Sequence, residues 1–255
     1  MKNLIKYELK GCYKEFIILM ILQIIINNFI LSKASKLGMN TYIVLIIVNL
    51  IFVAIVFIFN IKIFVRDLYK DTAYLIFSIP KKSNHILKSK VIVSLIQIII
   101  VELIQFIYIY LIGIIILNNK TIIHYTQIYS IITDIPKFVV IAGPFFVLSY
   151  AKVLLIVYFS ICLSKVTKRK KKFGKLHSVA IFIIINILIE RFNSVINNIF
   201  RDSLTLNSVI FRYVNNNMNF YLDKTINIAS QAVNLVLLIL FWKLVCHMLD
   251  NIVEI

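Results

Sequence analysis

Residues 42–64 read YIVLIIVNLIFVAIVFIFNIKIF, and Lys62 is the one formal charge among them. A helix rises about 1.5 Å per residue, so this run reaches about 35 Å, enough to cross the roughly 30 Å of hydrocarbon in a bilayer. The helix of a soluble domain keeps a polar stripe toward water. A surface that is apolar all round, over this length, suits lipid.

The pattern repeats. Runs of comparable length cover about 16–32, 91–117, 138–164, 178–198 and 226–248, which makes six spans. The chain of 255 residues is 61% hydrophobic and 15% charged, with a mean hydropathy of +0.93. Soluble domains lie nearer 45–50% apolar and roughly 25% charged. Composition and pattern therefore predict an all-α polytopic membrane protein whose whole length, 1–255, is a single transmembrane domain.

The net charge is +17. In a soluble protein that excess points to nucleic acid. Here its distribution gives another cause: 17 of the 28 lysines and arginines fall on the side of the N-terminus and 8 on the other side. Lys and Arg accumulate in cytoplasmic loops, so this bias predicts both termini in the cytoplasm and no nucleic-acid partner. The basic run KVTKRKKKFGK (165–175) then fixes topology and touches anionic lipid. Heavy use of Ile, Asn and Lys suits an AT-rich bacterial genome, hence a bacterial cytoplasmic membrane.

Ahead of the first span, Ile5, Leu9, Cys12 and Phe16 recur at helical spacing, with Lys2, Lys6, Lys10 and Lys14 as a neighbouring stripe. Residues 1–15 read as an interfacial amphipathic helix, apolar side in lipid and lysines among headgroups. Ile128, Ile131, Ile132 and Ile135 predict a short surface helix before the fourth span. Residues 192–225 form a long external segment; its charges and asparagines exclude a free-standing seventh span and leave a re-entrant or surface-packed hairpin open.

Enzyme motifs are missing. The four histidines are isolated, and no H-E-x-x-H or G-x-S-x-G occurs. The five glycines are too far apart to cradle a phosphate, and the three cysteines too scattered to bind a metal or form a disulfide framework. The chain reads as a non-enzyme with no cofactor or metal of its own.

Ionisable residues within spans mark function or packing. Glu102, Lys152, Glu190 and Arg191 all fall about 17–18 Å from the cytoplasmic ends of their spans. We expect this neutral cluster to face the bundle interior, with Lys152 paired to Glu102 or Glu190. It either lines a substrate route or is interhelical glue.

Between the second and third spans lies RDLYKDTAYLIFSIPKKSNHILKSK (66–90). Its core, AYLIFSIP, is too short to cross a bilayer and too apolar for an ordinary loop. Pro80 stops a helix and Ser83-Asn84-His85 starts another. An exposed apolar patch of this kind marks a partner site.

This stretch resembles the segment after the second span of bacterial ABC transporter permeases of the type-2 class. The matching positions are Asp67, Tyr74, Leu75, Phe77, Ser78, Pro80, Ile86 and Lys90. The layout is similar too, with a basic N-terminal helix, six spans and an elaborated external segment before the last. The resemblance implies the membrane subunit of an ATP-driven exporter of amphiphilic substrates such as peptides, drugs or lipid-like molecules. It implies a second permease copy, identical or paralogous, and a separate cytosolic ABC ATPase that binds the ATP and Mg. Residues 67–88 become the coupling segment, with Asp67, Asp71, Tyr74, Leu75, Phe77, Ser78, Pro80, Lys81 and Lys82 as its ATPase-coupling residues. The residues themselves leave two other readings open, a secondary carrier using the midplane charges and a non-transporting anchor or sensor.

Overall fold

Five of the six apolar runs lie inside longer helices, and the sixth, 226–248, is helical from Ile228. The computed structural model describes residues 2–37, 40–69, 83–118, 125–167, 174–200, 203–214 and 217–253. The helices are α1 (Lys2–Leu37), α2 (Asn40–Tyr69), α3 (Ser83–Asn118), α4 (Tyr125–Thr167), α5 (Gly174–Ile199) and α6 (Ile228–Val253). All six contain a stretch long and apolar enough to cross a membrane. The chain is an all-α polytopic membrane protein with one small addition, a β-hairpin of β1 (Ser203–Val214) and β2 (Asn217–Asn227).

α4 stands at the centre, against α2, α3, α5 and α6, while α1 lies against α2 and α3. The main core surrounds it: Leu154, Leu155, Ile156, Tyr158, Ile161 and Cys162 of α4 are buried against Phe64, Leu87, Phe241 and Val245. Phe64 and Tyr158 stack with ring centroids 3.9 Å apart. Lipid tails are as apolar as leucine, so such burial contributes close packing rather than hydrophobic free energy. Buried hydrogen bonds between helices add register. Asn27 of α1 donates to Gln105 of α3 at 3.2 Å, and Gln105 donates to the Leu45 carbonyl of α2 at 2.9 Å. The Tyr150 hydroxyl of α4 meets Ser94 of α3 at 3.0 Å and accepts from Asn60 of α2 at 3.4 Å.

Two elements depart from expectation. Residues 1–15 are not a separate interfacial helix, because α1 runs unbroken from Lys2 to Leu37. No proline interrupts it, and its helical phase decides the rest. Cys12 is buried, and Ile5, Leu9 and Phe16 are half-buried, with Phe16 in a core cluster with Phe52, Val56 and Val101. The face assigned to lipid is turned toward protein, while Lys6, Lys10 and Lys14 are exposed as expected. The short surface helix is likewise continuous with the fourth span, as part of the 43-residue α4. Pro136 and Pro144 lie within it; membrane helices tolerate proline where neighbours re-satisfy the freed carbonyl.

The external segment resolves into the end of α5 and the hairpin. Val214 pairs with Asn217, so two residues join the strands, both asparagine, the residue that tight hairpin connections favour. Between Leu206 and Val209 the register shifts: two residues of β1 face one of β2, a β-bulge. The hairpin rests against α4 and α6.

Candidate functional site

The starts of α1 and α3 meet the ends of α2, α4 and α6 at one end of the bundle, here called the proximal end. Lys90, about two turns into α3, is the hub. Its side chain is 5% exposed, and a buried ammonium is tolerated only when paired. It donates to Glu8 of α1 at 2.8 Å and to Asp67 of α2. Arg66 adds a longer contact to Asp67 at 3.4 Å. Two cations and two carboxylates make the group neutral, which lowers the cost of burying it.

Further ties surround this clasp. Lys165 of α4 donates to the Leu68 carbonyl at 2.7 Å, satisfying one of the carbonyls that a helix end leaves without a partner. Ser83, the first residue of α3, donates to Asp250 of α6. Next to it, Trp242 of α6 donates to Asn84 at 3.1 Å. Residues 70–82 are thus held at both stems: Asp67 and Leu68 before them, Ser83, Asn84 and Lys90 after them. The expected helix restart at Ser83 is in place.

Of the coupling residues read from the sequence, Asp67 belongs to the last turn of α2, not to a loop. It is buried and faces Lys90. Its place as a partner-facing residue is corrected to that of an internal tie. Asp71, Tyr74, Leu75, Phe77, Ser78, Pro80, Lys81 and Lys82 lie outside the described residues, as does Lys70.

The midplane charges are not brought together. Glu102 of α3 accepts from Asn49 of α2, with 3.3 Å to each carboxylate oxygen. Lys152 of α4 donates to Asn234 of α6 at 2.8 Å, and Asn193 of α5 donates to the same Asn234 oxygen at 3.5 Å. Among the described residues no ion pair joins Lys152 to Glu102 or Glu190, although Glu190 is within electrostatic range of Lys152. Helical phase explains the miss. The inward face of α5 carries Phe182, Ile185 and Ile189, with Ile196 buried beyond them. Glu190 and Arg191 are 100° and 200° around from Ile189, and both are exposed. A shared depth along the bundle is not a shared side.

Sequence reasoning also missed Asn49 and Asn234, which bond Glu102 and Lys152, Asn193, which shares the Asn234 oxygen, and Glu8, which completes the clasp. Neutral amides inside apolar spans were the available signal, since in lipid an amide must find a partner. Among the described residues no group of His, Cys, Asp and Glu could hold a metal ion. Comparison of the chain with protein-family models, with curated proteins and with solved structures found no match.

Proposed function

We propose that this chain is the membrane subunit of an ATP-driven exporter, in which a separate cytosolic ATPase works on the proximal end. The reading places that end and both termini in the cytoplasm of a bacterium. ATP and Mg belong to the partner ATPase, and a second permease copy completes the pathway for an amphiphilic substrate. The observation that supports it most is the clasp. The apolar knob of Tyr74, Leu75 and Phe77 lies between two stems that are fastened to each other and to α1, α4 and α6. A push on a segment so anchored reaches five of the six helices at once, whereas a push on a slack loop is absorbed by the loop. Apolar anchors flanked by cations suit a docking surface on a partner.

The test starts by asking whether an adjacent reading frame encodes an ABC ATPase, then co-expresses it with this chain, followed by co-purification and measurement of ATP turnover and export from vesicles. Leu75→Asp with Phe77→Asp is expected to abolish co-purification. Lys90→Met combined with Glu8→Gln and Asp67→Asn, which undoes the clasp without stranding a buried charge, is expected to leave the ATPase bound but to lower export per ATP. Intact binding and turnover in the double variant would overturn the docking role. Transport driven by an ion gradient without ATP would favour the carrier reading.

A further inference from the structure

A second feature of α1 and α2 is independent of transport. A groove of about 190 Å³ opens between them near the proximal end, lined by Gly11 and Glu15 of α1 and by Phe59, Lys62, Ile63 and Arg66 of α2. A Cβ added at Gly11 would meet nothing within 4 Å, so the glycine faces open space. Lys62 and Arg66 are four residues apart and therefore share one face of α2. Both are exposed.

The groove sits where each helix changes from polar to apolar. Continuing from Lys62 along the same face of α2, Ile58, Ile55 and Ile51 are exposed. Continuing from Glu15 along α1, Ile18, Leu22, Ile25 and Phe29 are exposed. Two cations at the mouth of a cleft, with two bare apolar stripes leading away into the bilayer, match an amphiphile of one shape: an anionic head at the surface and acyl chains beside the helices.

We propose that this groove is a binding site for one anionic phospholipid of the leaflet at the proximal end. Lys62 and Arg66 hold the phosphate, and the acyl chains lie along the Ile58–Ile51 and Ile18–Phe29 stripes. Charge selects the ligand. Lys62 and Arg66 stand at the groove mouth opposite Glu15, and Arg66, held only by its 3.4 Å contact to Asp67, keeps donors free for a phosphodiester. The hydroxyls of a glycerol headgroup can donate to Glu15, while a choline headgroup brings a further positive charge and no donor. A free phosphate ion would use the cations but leave the stripes uncovered, so the stripes favour lipid.

The experiment uses the full chain in mild detergent, with retained lipid counted by native mass spectrometry after exposure to phosphatidylglycerol, phosphatidylethanolamine or phosphatidylcholine. One tightly held phosphatidylglycerol is expected on the wild type. Lys62→Gln is expected to weaken it about fivefold, the usual effect of removing one cation facing an anionic headgroup. Gly11→Phe, whose Cβ has open space and whose ring would occupy the groove, is expected to remove the retained lipid. Lys243→Gln, an exposed lysine on α6, is expected to change nothing. Equal retention of the three lipids, or unchanged retention in Gly11→Phe, would overturn the proposal. Displacement by excess inorganic phosphate at constant ionic strength would assign the site to a free anion instead and overturn the lipid. Because none of these readouts involves ATP or export, failure here leaves the transport reading standing, and the reverse also holds.

Discussion

Lys90 and Glu102 lie on the same helix, 12 residues and about 18 Å apart, yet their charges are treated in opposite ways. At the proximal end Lys90 is buried between two carboxylates, with charge answering charge. Farther along α3, Glu102 rests on an amide, as Lys152 does on α4. The difference follows from exposure. A lysine at 5% exposure cannot remain charged beside a neutral group without a large desolvation cost. Glu102 and Lys152 are only half-buried, and a dipole suffices there. The clasp therefore reads as an internal tie whose charges answer one another. At the midplane Glu102 and Lys152 read as local supports, each on its own asparagine.

The largest effect that would sharpen this contrast is Lys90→Met. It strands Glu8 and Asp67 as buried carboxylates and is expected to destabilise the fold by about 3–5 kcal/mol, read from unfolding in detergent. Adding Glu8→Gln and Asp67→Asn to Lys90→Met removes every stranded charge and is expected to recover most of that loss. A small effect of Lys90→Met would break the comparison at once. Asp67→Asn alone keeps an acceptor for Lys90 and leaves Glu8 in place, so about 1.5–3 kcal/mol is expected, the range for hydrogen bonds to charged groups.

At the midplane the costs shrink. Asn234→Leu removes the acceptor used by both Lys152 and Asn193, yet interhelical hydrogen bonds in membranes average about 0.6 kcal/mol, with a maximum near 1.7. A loss of about 1 kcal/mol is expected. A loss as large as that of Lys90→Met would mean that Lys152 is held as tightly as the clasp lysine, and the distinction would fail.

How much of this was open to a reader of the sequence depended on dimension. Position along a helix is a one-dimensional property, and it read well. Residues 42–64 fall inside α2, residues 91–117 inside α3, and α3 starts at Ser83 where the proline and serine signals placed it. Rotation about a helix needs the neighbours. Cys12 and its stripe looked fit for lipid, and Glu190 looked fit for the interior. Both assignments changed because packing against α3, α4 and α6 chooses the buried face. Glu8 was passed over among four lysines, although it lies two turns from the start of α1 and is the one acid there that reaches Lys90. The hairpin was half visible: NNN flanked by valine, isoleucine and aromatic residues is a turn between strands. Only pairing across 25 residues distinguishes it from a re-entrant segment.

The smallest expected effect is the most discriminating. Exchanging charges between Glu102 and Lys152, as Glu102→Lys with Lys152→Glu, would rescue a pair in direct contact. Each residue instead bonds an asparagine on a different helix, Asn49 on α2 and Asn234 on α6. Sites without shared partners add to within about 0.3–0.5 kcal/mol, so the double variant is expected to lose the sum of the two single losses. Its coupling energy, measured by the double-mutant cycle on thermal unfolding in detergent, should lie inside that margin. A coupling above about 1 kcal/mol would place the two charges in one network and make the midplane resemble the proximal clasp after all. A coupling near zero leaves the two sites on α3 distinct: Lys90 ties α1, α2 and α3 through Glu8 and Asp67, while Glu102 answers to Asn49 alone.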